Sequence, residues 1–218
     1  LTLLGAVGPA LAQRLDGTVV PSHYDLAFDV DLKNARFTGV ETIAVDLARP
    51  SRRITLHALD IQFQEVVVEA AGRRQRASVA VDEPTQTAAF TVPQAVPAGP
   101  ARLHIRYTGI LNNQLRGFYL SEANNRRYAV TQLESTDARR AFPGFDEPAM
   151  KATFTIALTI DAADTAISNG RLLSDTPGPG AGRHTLRFSE TARMSSYLVA
   201  MTVGDFQCLS GEAESTPI

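Results

Sequence analysis

Two polar side chains in the middle of the chain, Gln132 and Glu134, have the spacing of a small ligand site. They follow residues 128–131, which continue an extended pattern into them. Because alternate side chains of a strand point to the same face, both should project to one side. A carboxylate and an amide oxygen placed together can bind a cation such as an ammonium group through charge-assisted hydrogen bonds. The spacing therefore predicts a site for a positively charged group.

The segment around these two residues is rich in charged, aromatic and proline side chains. Its acids and bases follow one another closely and comprise Asp137, Arg139, Arg140, Asp146, Glu147 and Lys151. Because an unpaired buried charge is costly, we interpret them as an ion-pair network that fixes an irregular loop. We expect Phe142 and Phe145 to insert into the core, and Pro143 and Pro148 to set the turns.

Metal and nucleophile chemistry have little support elsewhere in the sequence. Neither helical ligand spacing nor an HExxH motif accompanies the four histidines, which are His23, His57, His104 and His184. We predict surface or structural roles for them, and therefore no metal site in this chain. Cys208 has no accompanying histidine motif and is interpreted as a small buried hydrophobic residue. No catalytic residue is assigned within the 218 residues.

The composition is that of a globular protein and argues against a nucleic-acid partner. Hydrophobic residues make up 44% of the chain and charged residues 20%, and the formal net charge is -2. Without a basic excess the chain cannot neutralise a run of phosphates, so we predict no nucleic-acid binding. A single cysteine excludes an intrachain disulfide.

The first residues are apolar and carry no charge before Arg14. The run is too short to span a bilayer. It ends in Ala10-Leu11-Ala12, which matches the small-x-small pattern of a signal-peptide cleavage site. We predict that residues 1–12 are the tail of a secretory signal and that the protein is exported, to the periplasm or the extracellular space. An apolar N-terminal strand is the alternative.

Most of the chain alternates between apolar and polar residues, as half-buried strands do. The first run places Tyr24, Leu26, Phe28, Val30 and Leu32 on one face. Polar, Gly- or Pro-containing turn signals separate similar runs at residues 41–48, 53–59, 61–70, 76–82, 86–92 and 101–107. No amphipathic helix of useful length interrupts them. The sequence predicts an all-β fold of largely antiparallel strands, as a β-sandwich or open curved sheets.

The β pattern resumes after the central segment, with an alternating run at residues 152–161. Asn169-Gly170 lies between apolar residues and predicts a hairpin turn. Residues 174–183 contain several glycines and prolines and predict a flexible loop tip. The last strands are expected at residues 184–190 and 195–206.

Residues 131–143 (TQLESTDARRAFP) and 146–154 (DEPAMKATF) together resemble the N-terminal domain of the aminopeptidase N family of zinc metallopeptidases, the gluzincin aminopeptidases. The similarity is long and ungapped, and is therefore more specific than a short motif. Residues 20–26 (VPSHYDL), 117–121 (GFYLS) and 195–206 agree with it. The resemblance covers about residues 14–218.

The resemblance implies a saddle-shaped, largely antiparallel β domain that precedes a thermolysin-like catalytic domain. In that family, a GxMEN loop and an HExxH helix carry the chemistry, and two His and one Glu hold the zinc. Neither motif occurs in this sequence. The expectation is therefore a β domain at residues 14–213, a link from residues 214–218 to a missing catalytic domain, and a fragment that is inactive alone.

The resemblance also assigns roles to the two central residues. Glu134 matches the glutamate that binds the free α-ammonium group of a peptide substrate, and Gln132 matches the glutamine that lines the pocket for the first side chain. The implied reaction is hydrolytic removal of N-terminal residues from peptides, with zinc bound by ligands outside this chain. The alternative is a non-catalytic β-sandwich binding module that kept the fold and contacts protein or glycan.

Overall fold

The computed structural model describes residues 14–206 and, beyond them, the backbone of residues 212–213 and 216–217. Its regular structure is almost all β-strand, as β1 (Val19–Asp31), β2 (Arg36–Leu47), β3 (Ser51–His57), β4 (Ile61–Ala70), β5 (Arg73–Arg76), β6 (Ser78–Asp82), β7 (Thr87–Val96), β8 (Gly99–Ile110), β9 (Gly117–Ala123), β10 (Arg126–Gln132), β11 (Thr153–Asp161), β12 (Thr165–Ser168), β13 (Leu172–Pro177), β14 (Arg183–Phe188), β15 (Met201–Gly204), β16 (Glu212–Ala213) and β17 (Thr216–Pro217). Two single-turn 3₁₀ helices cover Ala138–Arg140 and Ser196–Leu198.

The strands form three main sheets and one short pair. The eight-stranded sheet has the order β13-β14-β11-β1-β2-β8-β4-β5, the four-stranded sheet β12-β15-β10-β9, and the three-stranded sheet β3-β7-β6. All named strand pairings are antiparallel except that between β1 and β11. The prediction of an all-β, largely antiparallel fold is confirmed. Among the described residues no helix is long and apolar enough to cross a membrane.

Several sequence predictions fall at the limits of the described chain. The predicted signal segment, residues 1–12, and Cys208 lie outside the described residues. The domain boundary predicted at residue 213 falls between β16 and β17, which pair with each other. That boundary stays a prediction.

The alternating pattern explains how each sheet buries one face. Tyr24, Phe28 and Phe37 all point into one continuous core. The ring centroids of Phe28 and Phe37 lie 5.9 and 5.3 Å from that of Phe118 on β9. These contacts join the eight-stranded sheet to the four-stranded sheet. Each buried aromatic side chain removes a large apolar area from water, so this cluster contributes strongly to stability.

The prediction of a hairpin turn at Asn169-Gly170 is wrong. The flanking strands enter different sheets, because β12 pairs with β15 and β13 pairs with β14. The Asn169 amide donates to the Leu198 carbonyl at 2.8 Å and accepts from the Ala200 N–H at 2.7 Å. Gly170 passes so close to Ser189 that an added Cβ would lie 2.2 Å from its carbonyl oxygen. The turn residues therefore carry the chain from one sheet to another.

Two other boundaries differ from the sequence prediction. The loop is shorter than the predicted residues 174–183, because β13 continues to Pro177 and pairs with β14. The strand predicted at residues 195–206 is a 3₁₀ turn followed by the short β15. The Ser195 hydroxyl donates to the Pro148 carbonyl at 2.7 Å, and the Ser196 hydroxyl to Asp146 Oδ1 at 2.8 Å. These bonds tie residues 195–196 to the central segment.

A buried ion pair fixes the central segment. Arg139 and Asp146 are 4% and 3% exposed, and Arg139 Nε donates to Asp146 Oδ2 at 2.9 Å. The Arg139 guanidinium also donates to the Asp146 carbonyl and to Gln86 Oε1, at 3.2 and 3.0 Å. With the bond from Ser196, both carboxylate oxygens of Asp146 have partners. Such a pair is tolerated in a core because its hydrogen bonds are satisfied.

Further contacts hold the same segment on both sides of the ion pair. Arg140 binds Asp137 and Asp60, and Gly144 exchanges two backbone hydrogen bonds with His57, at 2.8 and 2.9 Å. Phe142 and Phe145 are buried as predicted, and the Phe145 N–H donates to the Tyr24 hydroxyl at 3.0 Å. The predicted ion-pair network is confirmed for both arginines; the described contacts of Lys151 include no ion pair.

Glu41 on β2 is a buried carboxyl group that the sequence analysis did not single out. It is 1% exposed, and neither of its carboxyl oxygens has a hydrogen-bond partner. On β2 it is the inward-facing residue two positions before the inward-facing Ile43. Burial raises the pKa of the Glu41 carboxyl well above its ordinary value. Burial likewise raises the pKa of the Tyr107 hydroxyl well above its ordinary value, and a charged Glu41 would raise it further.

The buried ion pair predicts a large cost for removing one partner. Asp146→Ala leaves the Arg139 guanidinium buried without its counter-ion, and we expect a loss of about 3–5 kcal/mol in the free energy of unfolding. Asp29→Ala is the matched control, because Asp29 is 52% exposed and pairs with Arg183 on the surface. We expect about 0–1 kcal/mol for it. Urea denaturation of the 218-residue chain measures both; equal losses would contradict the prediction.

Glu41 predicts a pH dependence of stability. Unfolded Glu41 releases its proton near its ordinary pKa of about 4.3, whereas the folded carboxyl keeps it to higher pH. Above that pH the unfolded state binds fewer protons, so the free energy of unfolding falls as the pH rises. Glu41→Gln removes this term. Its stability relative to the parent protein should increase from about pH 5 to about pH 8, by at most about 1.4 kcal/mol per pH unit.

The control for this prediction is Glu65→Gln, since Glu65 is exposed on β4. Its stability relative to the parent protein should stay constant across the same urea titrations. A constant difference for Glu41→Gln as well would show that the buried carboxyl does not retain its proton.

Candidate functional site

Gln132 is the last residue of β10, the strand between β9 and β15 in the four-stranded sheet, and Glu134 lies two residues beyond it. Both are exposed, whereas Leu133 between them is 2% exposed and packs into the core. The Glu134 N–H points to Gln132 Oε1 at 3.4 Å. The buried Leu133 fixes the backbone at this point, so the two polar side chains are presented on the solvent side.

The Glu134 carboxylate has no hydrogen-bond or ion-pair partner within the described part of the chain. The peptide bond that follows it, to Ser135, is cis. The network of the central segment begins just beyond, where the Asp137 N–H donates to the Leu133 carbonyl at 3.0 Å. An unpaired carboxylate on a well-fixed backbone can form charge-assisted hydrogen bonds with a cation without first breaking an internal ion pair.

The site is an open surface. A cleft of about 980 Å³ lies elsewhere, between residues 14–19 and the three-stranded sheet, and neither Gln132 nor Glu134 lines it. Exposed ion pairs are weak in water because the dielectric constant is high. Strong binding of a cation at Glu134 therefore requires a second surface that covers the site and excludes water.

The histidines lie apart from this site and from each other. His104 and His184 contact Glu69 and Asp175 at 3.1 and 2.8 Å, and His23 contacts Thr153 at 2.7 Å. His57 is buried on β3. Across the described residues, no three His, Cys, Asp or Glu side chains come together as metal ligands. These residues therefore do not fit a zinc ion by themselves.

Sequence reasoning missed the side chains that flank Gln132 on the solvent side of the sheet. Val130 lies two residues before Gln132 on β10 and opposes Tyr119 on β9. Both are partly exposed apolar or aromatic residues. The alternation of residues 128, 130, 132 and 134 already indicated that all four side chains share one face. The sequence analysis considered only the two polar ones, Gln132 and Glu134, as site residues.

Comparisons with known proteins show the family to which the sequence of this chain belongs. The family model for the peptidase M1 N-terminal domain matches residues 20–198. The chain is 35% identical over 212 residues to an aminopeptidase N from Acetobacter pasteurianus, covering 95% of this chain and 59% of that protein. It is 35% identical over 209 residues to aminopeptidase 2 from Candida albicans, covering 94% and 22%.

A third relative is the puromycin-sensitive aminopeptidase of Caenorhabditis elegans, 31% identical over 210 residues, which cover 93% of this chain and 22% of that protein. The chain thus spans about three fifths of the Acetobacter relative and about a fifth of the other two. The match at residues 20–198 begins at the second residue of β1, continues through β14 and includes the whole central segment. This chain therefore belongs to the peptidase M1 N-terminal domain family.

Proposed function

We propose that this chain is the substrate-anchoring N-terminal domain of a zinc-dependent aminopeptidase, an enzyme that removes N-terminal residues from peptides. The observation that carries the proposal is the exposed, unpartnered carboxylate of Glu134 on a backbone fixed by Leu133. The aminopeptidases named above, to which the chain is similar along nearly its whole length, support it.

Glu134 binds the free α-ammonium group of the substrate in this proposal. The charge on that amine distinguishes the end of a peptide from its interior, where each nitrogen is a neutral amide. A carboxylate stabilises the charged amine, whereas an internal segment offers no cation and leaves the carboxylate desolvated without a partner. The preference for N-termini thus follows from one charge.

Gln132 contributes to the pocket of the first side chain. Its Oε1 lies 3.4 Å from the Glu134 backbone nitrogen, so the two side chains share one small area at the end of β10. An amide offers both a donor and an acceptor, which suits a pocket wall that contacts substrates of different polarity. Preference for particular residues also depends on the surface that closes the pocket from outside this chain.

The catalytic residues and the zinc ligands belong to the rest of the parent enzyme. When bound, zinc activates a water molecule and polarises the scissile carbonyl. The residues of this chain hold the amine and orient the peptide toward that centre. We also propose that the parent is exported, because residues 1–12 have the pattern of the end of a signal peptide.

The role of Glu134 can be tested in the full-length enzyme that contains this chain. Glu134→Gln keeps the size of the side chain and removes its charge. We expect kcat/KM for peptides with a free amine to fall roughly tenfold to a hundredfold, which corresponds to about 1.5–3 kcal/mol for a hydrogen bond to a charged group.

Glu65→Gln serves as the control, since Glu65 is exposed on β4 of a different sheet. It should leave kcat/KM unchanged. Slow cleavage of N-acetylated peptides, which lack the cation, should be insensitive to both substitutions. A Glu134→Gln enzyme with unchanged kinetics on free-amine peptides would remove Glu134 from the site.

The distribution of zinc is a second test. We expect the purified 218-residue chain to contain far less than one equivalent of zinc by mass-spectrometric metal analysis, because its described histidines have separate partners. The full-length enzyme, dialysed identically, should contain about one equivalent per chain, as a single catalytic zinc requires. One equivalent in the short chain would contradict the assignment of the ligands to another domain.

A further inference from the structure

Arg140 lies at the base of the loop that carries Glu134. This loop, residues 133–140, follows β10 and ends with the first 3₁₀ turn. At its start, Gln132 pairs with Gly117 of β9. At its end, the Arg140 side chain packs against the same glycine, where an added Cβ would lie 2.7 Å from Arg140 Cβ. Both ends of the loop are therefore held at one point of β9.

The backbone of Gly117 suits this contact. Its φ of +68° lies in the left-handed region, which glycine adopts without a steric cost. A side chain at this position would be strained and would also displace the stem of Arg140. The Arg140 side chain is 14% exposed, so most of it is covered by the elements that it joins.

The Arg140 guanidinium connects the loop to a distant part of the chain. Its Nε donates to Asp137 Oδ1 at 2.8 Å, and its Nη1 donates to Asp60, in the turn between β3 and β4. That turn is itself fixed, because the Leu59 N–H donates to the Arg139 carbonyl at 2.9 Å. A planar guanidinium can hold two carboxylates at once in a defined geometry.

Asp137 transmits this restraint toward Glu134. The Asp137 N–H donates to the Leu133 carbonyl at 3.0 Å, and Leu133 itself is 2% exposed. The carbonyl belongs to the peptide unit that joins Leu133 to Glu134. The restraint therefore passes from Arg140 through Asp137 to the backbone from which the Glu134 side chain projects.

Arg140 restrains the loop without neutralising Glu134. Asp60 and Asp137 share the one positive charge of Arg140, whereas the Glu134 carboxylate has no ion-pair partner among the residues that the structure describes. A base that fixed the loop by binding Glu134 directly would occupy the site. Because the neighbouring acids take that role, the Glu134 carboxylate stays available to a cation.

We propose that Arg140 is a positioning residue for the ammonium site at Glu134. It holds the loop of residues 133–140 so that the carboxylate meets the substrate amine at a fixed place, and it does not touch the substrate itself. This inference rests on the proposed function. A misplacement of about 1 Å in an active site can cost up to about a hundredfold in rate, so the restraint of this loop contributes to turnover.

Arg140→Met in the full-length enzyme tests the proposal, because it removes the guanidinium and keeps an unbranched stem. We expect kcat/KM for peptides with a free amine to fall roughly fivefold to tenfold. Slow cleavage of N-acetylated peptides should stay unchanged, because they have no cation for Glu134 to bind. A general loss of structure would lower both rates together.

Arg183→Met is the matched control. The Arg183 side chain is 19% exposed and also binds two carboxylates, those of Asp29 and Asp161, but it does so on the eight-stranded sheet. We expect a similar small loss of thermal stability from both substitutions, measured by the thermal midpoint of the full-length enzyme. Only Arg140→Met should change kcat/KM.

A double-mutant cycle shows whether Arg140 acts through Glu134. In a Glu134→Gln background, Arg140→Met should lower kcat/KM for free-amine peptides by less than about twofold, because the group that it positions is already gone. Arg140→Lys in the parent background should restore only part of the activity, since an ammonium lacks the fork that holds both acids.

Asp60→Asn provides a milder variant that preserves the fold. Asp60 is 48% exposed, and its φ of +58° is a conformation that asparagine also tolerates. This substitution removes only the outer partner of Arg140. We expect a loss of about twofold to threefold in kcat/KM, again confined to free-amine peptides.

Three results would overturn the positioning role. The first is unchanged kcat/KM in both Arg140→Met and Asp60→Asn enzymes. The second is an equal loss on N-acetylated peptides, and the third is an undiminished effect of Arg140→Met in the Glu134→Gln background. Each leaves the loss caused by Glu134→Gln alone intact. Failure of the proposed function would instead appear as unchanged kinetics of the Glu134→Gln enzyme, so the two failures are distinguishable.

Discussion

The buried pair of Arg139 and Asp146 is the constraint on which the central segment depends. It closes a loop of irregular backbone across seven residues and binds that loop to Gln86 and Ser196, which belong to distant parts of the chain. A loop with this many turns cannot satisfy its polar groups through a strand ladder. The ion pair supplies those partners inside the core, where an unpaired charge would be costly.

Fixing the loop has a consequence for the strand that precedes it. Leu133 is buried at the junction, and Glu134 leaves β10 with its carboxylate exposed and unpartnered. Two neighbouring acids have internal partners instead, because Asp137 pairs with Arg140 and Asp146 with Arg139. The unpartnered Glu134 carboxylate is therefore held at a defined position, as an electrostatic anchor for a substrate amine requires.

Much of this architecture was predictable, and the failures have physical causes. Period-two alternation identifies most strands, and charge density identifies the central segment. Asn169-Gly170 misled the prediction because its turn chemistry is local, whereas the sheet that each flanking strand joins is decided by distant partners. Glu41 escaped notice because an acid at an inward strand position looks like any polar residue until its burial is known.

The parallel pairing of β1 with β11 has a consequence for the order in which the sheet can form during synthesis. β1 lies inside the eight-stranded sheet, yet its partner on one side begins at Thr153. During synthesis on the ribosome, β1 can pair early with β2 but waits for more than half of the domain before its other edge is covered. Until β11 emerges, that exposed edge is a template for association with other chains.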